Sequence, residues 1–244
     1  MNSQALISFL KFDIKLQWRR GLFLTYLVVI LFYTAVLHQL PIEARRLATV
    51  VLLFVDSSML GFFFLGALVQ WEREEHLYEA MFTTPFADSQ FLFCRTLSLS
   101  LLTLVMSLVL VLFSIGLPPH PLQLALGIFG GAAFFVLFGY PLALKTGNII
   151  GYFLTATVYT LPLVLPLLEL FGVLQSRWFL ILPTGGMLAL IRSGLMSTIT
   201  ATGAASVALG PVAASAALLL WIILMAPLSL RLSRSRGRAA EKGA

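Results

Sequence analysis

The sequence predicts an all-α, polytopic membrane protein with six transmembrane helices, and three observations predict it. Of the 244 residues, 59% are hydrophobic and only 11% charged, with a mean hydropathy of +0.97; a soluble domain has roughly 45–50% apolar and about 25% charged residues. Six apolar runs reach the length of a bilayer span: Gly21 to Leu37, Leu47 to Val69, Thr96 to Leu117, Leu122 to Leu144, Ile149 to Phe171 and Val207 to Leu230. Charge is also segregated between the connecting segments. With the N terminus inside, Lys11, Lys15, Arg19, Arg20, Arg73, Arg95, Lys145, Arg231, Arg234, Arg236, Arg238 and Lys242 are inside. Only Arg45, Arg46, Arg177 and Arg192 of the 16 basic residues are then outside. An excess of Lys and Arg marks cytoplasmic segments, so both termini are expected in the cytoplasm and the chain in a cytoplasmic membrane.

The same numbers exclude other classes. Six spans of about 20 residues take about half the chain, and the scattered remainder is too short for a separate soluble catalytic domain, so residues 1–244 read as a single transmembrane domain. The net charge of +6 comes from chain ends and connecting loops, which suits lipid anchoring and topology rather than nucleic acid. Cys94 is the single cysteine, which rules out an internal disulfide framework. There is no G-x-x-x-x-G-K-[ST] and no H-E-x-x-H, and His38, His76 and His120 fall in three different loops. No serine stands beside an evident buried base. The chain is therefore expected to be no enzyme and to bind no metal or cofactor of its own.

The elements follow in order. Residues 1–20 form an interfacial helix in the expectation, because Leu6, Leu10, Ile14 and Trp18 recur at four-residue spacing while Lys11, Lys15 and Arg19 recur on another side. Phe9, Phe12 and Leu16 widen the apolar side. Both signs of charge precede the first long apolar run, so that run is read as a retained span and not a cleaved signal. Trp18, Tyr33, Trp71 and Trp178 fall near span ends, where amphipathic rings are favoured.

The loop of residues 70–95, between spans two and three, is the densest polar stretch. Glu72, Glu75 and Glu79 follow helical spacing, Leu77 and Met81 make an apolar pair at i and i+4, and Thr84 is pushed out of the helical region by Pro85. A short amphipathic helix ending at proline follows, and Asp88 stands as the N-cap of a helix running through Phe91 and Arg95 into span three. An acidic face wedged between two spans suits mechanical contact with a soluble partner; a solvated charge run is the plain alternative.

This loop resembles that of ABC-2 type permeases, the membrane subunits of ATP-binding cassette exporters for drugs, polysaccharides, haem or lipids. Their pattern is close to E-R-E-x-G-T-L-E-x-L-L-x-[ST]-P. The chain offers Glu72, Arg73 and Glu74, then Glu79, Met81 and Phe82 at the two apolar places, and Thr84-Pro85; it departs at His76, Leu77 and Tyr78, where glycine, threonine and leucine are usual. Within that family the length and the wording from Tyr78 to Pro85 look most similar to small drug-export permeases of the fluoroquinolone-exporter kind. The resemblance implies that Glu72, Arg73, Glu74, Glu75, Glu79, Met81, Phe82, Thr84 and Pro85 belong to a cytoplasmic coupling helix seated on a separate ATPase subunit, which would hold ATP and Mg. It further implies a second permease copy or a sister permease, and a hydrophobic or amphipathic cargo.

Residues 172–206, outside between spans five and six, are too long for a simple turn. Two apolar pieces, Trp178 to Leu182 and Met187 to Leu195, flank Pro183-Thr184-Gly185-Gly186. Backbone at membrane depth must be satisfied by protein or a wet cavity, and a re-entrant helical hairpin is the expectation, matching the family; a loop flat on the surface is the alternative. Polar residues inside the spans are candidates for a translocation path: Asp56 beside Ser57 and Ser58; Ser100, Thr103 and Ser107, with Ser114 on the same side; and Tyr152, Thr155 and Tyr159, followed by Pro162 and Pro166. Hydroxyl stripes equally serve as glue between helices, as does the Gly127/Gly131 G-x-x-x-G of span four. Two rival functions remain open at this point: a proton-coupled secondary transporter that uses Asp56, and a membrane scaffold that docks a partner without transport.

Overall fold

A computed structural model describes residues 3–74, 88–173, 179, 182–196 and 210–241. Among these the chain is helical with turns and no strand: α1 (Ser3–Arg19), α2 (Leu22–His38), α3 (Ile42–Ser58), a π-helical segment (Met59–Phe64), α4 (Leu65–Glu74), α5 (Asp88–Ser114), α6 (Pro121–Lys145), α7 (Ile149–Val164), α8 (Leu167–Leu170), α9 (Pro183–Leu195) and α10 (Pro211–Glu241).

Four stretches of described helix are long and apolar enough to cross a membrane: Ile42–Glu72, Gln90–Ser114, Pro121–Lys145 and Pro211–Arg231. The pair Leu10–Arg19 and Leu22–His38, bent by 63°, makes a fifth if counted as one span. The run expected as a fifth continuous span, 149–171, is divided by its prolines. Pro162 sits inside α7, α7 ends at Val164, and Pro166 opens the one-turn α8, because proline removes an N–H and cannot continue a helix ladder. This leaves α7 as a shorter apolar helix of 16 residues, started by the Asn148 side chain accepting from the Gly151 amide at 2.6 Å.

The central element is α6. It packs against α5, α9, α10 and the α3–π–α4 span, and its Phe134 and Phe138 stack at 5.8 Å while Phe138 stacks on Phe62 of the π segment at 5.6 Å. The glycine spacing of α6 is used inside one chain. A Cβ on Gly131 would stand 2.3 Å from the Met187 sulfur, and one on Gly127 2.9 Å from Leu190 Cβ, so these glycines let α9 lie directly on α6. α9 is buried between α6, α10 and α3. Of the rest of the expected hairpin, residues 174–178, 180–181 and 197–206 lie outside the described residues.

The α3–π–α4 span is broken by the π segment, a feature with no periodic signature in sequence. The side chain of Tyr152 explains it. Its ring fills the space where a Gly66 Cβ would stand, 1.8 Å away, and its hydroxyl donates to the Phe62 carbonyl at 2.5 Å. Widening the helical turn shifts the backbone pairing, and the tyrosine adds a second donor to the Phe62 carbonyl, which also accepts from the Leu65 amide. At the opposite end from the 75–87 loop, Arg45 closes the α2–α3 corner by donating to the Leu37, His38 and Leu40 carbonyls at 3.0, 3.2 and 3.1 Å, the first of which also accepts from the Leu40 amide.

Candidate functional site

The candidate site lies where residues 75–87 leave α4 and enter α5. α1 is the helix that the spacing predicts, but its inward side carries polar residues. Asp13 and Gln17 are 2% and 0% exposed, whereas Ile7, Phe12 and Trp18 are more than half exposed. Leu10, Asp13, Ile14 and Gln17 stand at i, i+3, i+4 and i+7, one helical face. For a helix lying beside lipid, an apolar outer side carries no penalty, and the polar groups turn toward the protein positions that can pair them. That inversion hid Asp13 and Gln17 from an argument built on apolar stripes.

What Asp13 meets is Arg95, on the first turns of α5. Arg95 is the largest of the fully buried side chains, 1% exposed. One of its terminal nitrogens donates to Asp13 Oδ1 of α1, and the other donates to Glu72 Oε1 of α4 at 2.5 Å. Ser98, one turn further along α5, donates to Asp13 Oδ2, while Gln17 Nε2 donates to Ser98 Oγ at 3.0 Å and to Asp13 Oδ2 at 3.1 Å. The guanidinium fork suits this geometry, since its planar donors can hold two carboxylates at once. Around the cluster, Arg20 lies over the Trp71 ring at 5.7 Å and Arg95 over Phe91 at 5.9 Å. Gln70 fixes the other side of α4, donating to the Ala143 and Thr146 carbonyls at 3.2 Å each, at the end of α6 and just beyond it.

The cluster therefore joins three helices through one arginine. A charge-assisted buried pair gives a unique geometry, and removing one member leaves the others stranded. Glu72, placed by the loop pattern among the coupling residues, is 3% exposed and faces inward to Arg95. Arg73 and Glu74 complete the last turn of α4 in backbone. Glu75, Glu79, Met81, Phe82, Thr84 and Pro85 lie outside the described residues. Arg95, counted in the sequence among the inside topology charges, is instead the centre of the site; the available signal was the i, i+3 pair Arg95–Ser98 on the helix that follows the acidic loop.

The translocation-path candidates are not gathered into one site. Ser100, Thr103 and Ser107 are fully buried on α5; Thr103 donates to the Leu99 carbonyl at 2.9 Å, and the Ser100 and Ser107 hydroxyls have no hydrogen-bond partner among the described residues. Tyr152 is buried and spent on the π segment. Thr155 donates to the Gly151 carbonyl at 2.7 Å, and Tyr159 is 49% exposed on α7. α5 and α7 do not pack against each other to any extent among the described residues. Asp56 is 6% exposed, and one of its carboxylate oxygens has no partner there either, because the adjacent Ser57 and Ser58 hydroxyls donate to the Leu53 and Val55 carbonyls at 2.9 and 2.6 Å. A lateral apolar groove of about 550 Å³ runs between α5, α6 and α10, with Leu97, Phe129 and Ile222 among its walls. Among the described residues no cluster of three or more His, Cys, Asp or Glu could hold a metal ion.

Comparison with known proteins fits this membrane architecture. The model of the fluoroquinolones export permease protein family matches residues 4–227. The fluoroquinolones export permease proteins of two strains of Mycobacterium tuberculosis are each 27% identical over 187 residues, 76% of this chain and 79% of theirs. No solved structure matches the chain. The family match covers both the buried charge cluster and the acidic loop that grows from it, and the chain belongs to the fluoroquinolones export permease protein family, an ABC-2-type drug permease as its loop resemblance implied.

Proposed function

We propose that this chain is the membrane-spanning subunit of an ATP-driven exporter, with six spans and both termini in the cytoplasm. In this reading residues 75–87 dock on a separate ATPase subunit that binds ATP and Mg, and the chain itself performs no covalent chemistry. Two copies, or one copy and a sister permease, form the pathway between them. The relatives' names favour an amphipathic drug of the fluoroquinolone class as cargo, with a lipid or haem as the alternatives that a sparsely charged path also suits.

The observation that carries the reading is the placement of the acidic loop: its two ends spring from helices locked together by Arg95 and Glu72. Load applied to such a loop passes into the spans instead of being absorbed by a slack connection. The test is purification of the tagged chain from its native membrane in mild detergent, with identification of what accompanies it. A P-loop ATPase is expected with the wild-type chain and is expected to be lost from Glu75→Lys/Glu79→Lys. Glu72 is left out of that variant, because reversing its charge would break the buried cluster and confuse docking with folding. A preparation without ATPase, repeated in native lipid discs, contradicts the reading.

The second reading, a proton-coupled transporter, rests on the Asp56 carboxylate oxygen without a partner. Asp56→Asn separates the two, since an ATP-driven permease keeps substantial transport and a proton-coupled one loses it.

A further inference from the structure

We propose that the groove between α5, α6 and α10 binds one anionic phospholipid, with an acyl chain along the groove and the phosphate at Arg234 and Arg236, where α10 leaves the membrane. The lipid is a fixed part of the bundle and not cargo. It braces α10, the least buried of the four long spans. The site rests on the membrane architecture and the groove itself, and holds whether or not an ATPase drives the chain.

Shape, chemistry and charge each point to this occupant. A Cβ on Gly130 would stand 2.5 Å from a Leu218 methyl carbon, and one on Gly186 2.9 Å from the Ala214 carbonyl oxygen. These close approaches seat the first turns of α10 on α6 and α9, and the groove lies on the side of α10 toward α5. Its α10 wall runs from Ser215 to Leu230, about 22 Å of helix, so a volume of about 550 Å³ makes a channel about 5 Å across. A helix of a second copy needs about 10–12 Å with its side chains, whereas a single hydrocarbon chain, whose carbons meet neighbours at about 4 Å, fits. Only Thr96 and Ser215 of the lining side chains are polar, and their hydroxyls already donate to the Leu92 and Val212 carbonyls at 2.8 Å each. A cargo with polar substituents finds no free side-chain donor there, and an alkyl chain needs none.

Lipid tails are as apolar as these walls, so selection falls to the headgroup. The apolar part of α10 ends at the exposed Arg231. Continued along the same helix, the lining stripe reaches Arg234, eleven residues or about three turns beyond Ile223, and Arg236, eighteen residues or about five turns beyond Leu218. Between these two edges, on the midline of the stripe, stand the small Ser233 and Gly237, each seven residues on from the groove residues Ala226 and Leu230. Two arginines flanking small residues where the span ends make a seat for a phosphate. Arg231 and Arg238 fall on the other side of the helix by the same register.

The test is native mass spectrometry of the full purified chain, titrated with phosphatidylglycerol or with phosphatidylcholine of the same acyl chains. The wild type is expected to retain one phosphatidylglycerol per chain in preference to phosphatidylcholine. Arg234→Gln/Arg236→Gln should lower that preference at least fivefold, the size of one basic residue's attraction to an anionic membrane surface. Arg231→Gln/Arg238→Gln, which removes the same charge from the other side of α10, should leave it unchanged. Ala226→Phe, which fills the groove at a half-buried position, should lose both lipids. Equal losses in the two arginine pairs would mean adsorption to a basic helix end and overturn the site, as would equal retention of the two lipids by the wild type. A dimer that carries no lipid and is broken by Ala226→Phe overturns it too, and makes the groove a contact between copies. No ATPase enters the measurement, so its outcome is separate from that of the exporter reading.

Discussion

Buried polarity is handled in opposite ways in two regions of this chain. At the root of the 75–87 loop, Asp13, Glu72 and Arg95 come from three helices and satisfy one another, with Ser98 and Gln17 closing the network. Within the spans, Asp56, Ser100 and Ser107 are also buried, each with an oxygen that has no partner among the described residues, and no described cation meets them. The first region is held by ion pairs, although Glu72 Oε2 and Gln17 Oε1 keep no partner among the described residues, and the second is a set of polar groups outside any described ion pair. An ion-paired joint fixes the helices it spans, whereas polar groups outside any ion pair are open to water, a second subunit or cargo. Substitution should therefore hurt the first region through stability and the second through transport.

The largest effect is expected from Arg95→Met, which leaves two carboxylates buried without their cation and should cost about 3–5 kcal/mol, read as a large drop in the thermal unfolding temperature in detergent. Asp13→Asn/Glu72→Gln/Arg95→Met should recover most of that loss, since no ion is left unpaired. Gly66→Ala is expected next, at roughly 1–3 kcal/mol, because its new methyl meets the Tyr152 ring. Tyr152→Phe should cost about 1 kcal/mol by removing the hydroxyl's bond to the Phe62 carbonyl, which keeps the Leu65 amide as a donor, and it moves Tyr152 from the path residues to the structural ones if transport survives. At the small end, Ser100→Ala and Ser107→Ala should each change stability by less than about 0.5 kcal/mol. Asp56→Asn should not lower it, because the carboxylate it removes has an unsatisfied oxygen. A large destabilisation by either serine change would erase the contrast between the regions.

How much of this could be read from sequence follows the same division. Apolar runs of span length announce themselves, and α2, α6 and the start of α7 lie within two residues of the expected bounds. Asp88 begins α5, where an N-cap was expected. The π segment left no trace, because it is set by a tyrosine about 90 positions downstream and by Gly66, neither of which alters local periodicity. Glu72 stood out as part of the loop pattern, but its inward direction did not, since a pattern gives position and not facing. In the sequence Arg95 counts only as an inside topology charge and Asp13 carries no assigned role, because each in isolation is a polar residue near a span end. Only the pairing of helices α1, α4 and α5 reveals that one guanidinium serves both carboxylates.

The most direct measurement of the central claim compares bound ATPase per permease in three tagged chains purified in parallel. The wild type and Asp13→Asn/Glu72→Gln/Arg95→Met are expected to retain equal amounts, and Glu75→Lys/Glu79→Lys to lose it, since in the proposed reading the loop docks the ATPase and the cluster only holds the roots of the loop. Loss of the ATPase from the cluster variant with retention by the loop variant would contradict the account and make the buried charges, not the acidic loop, the seat of docking.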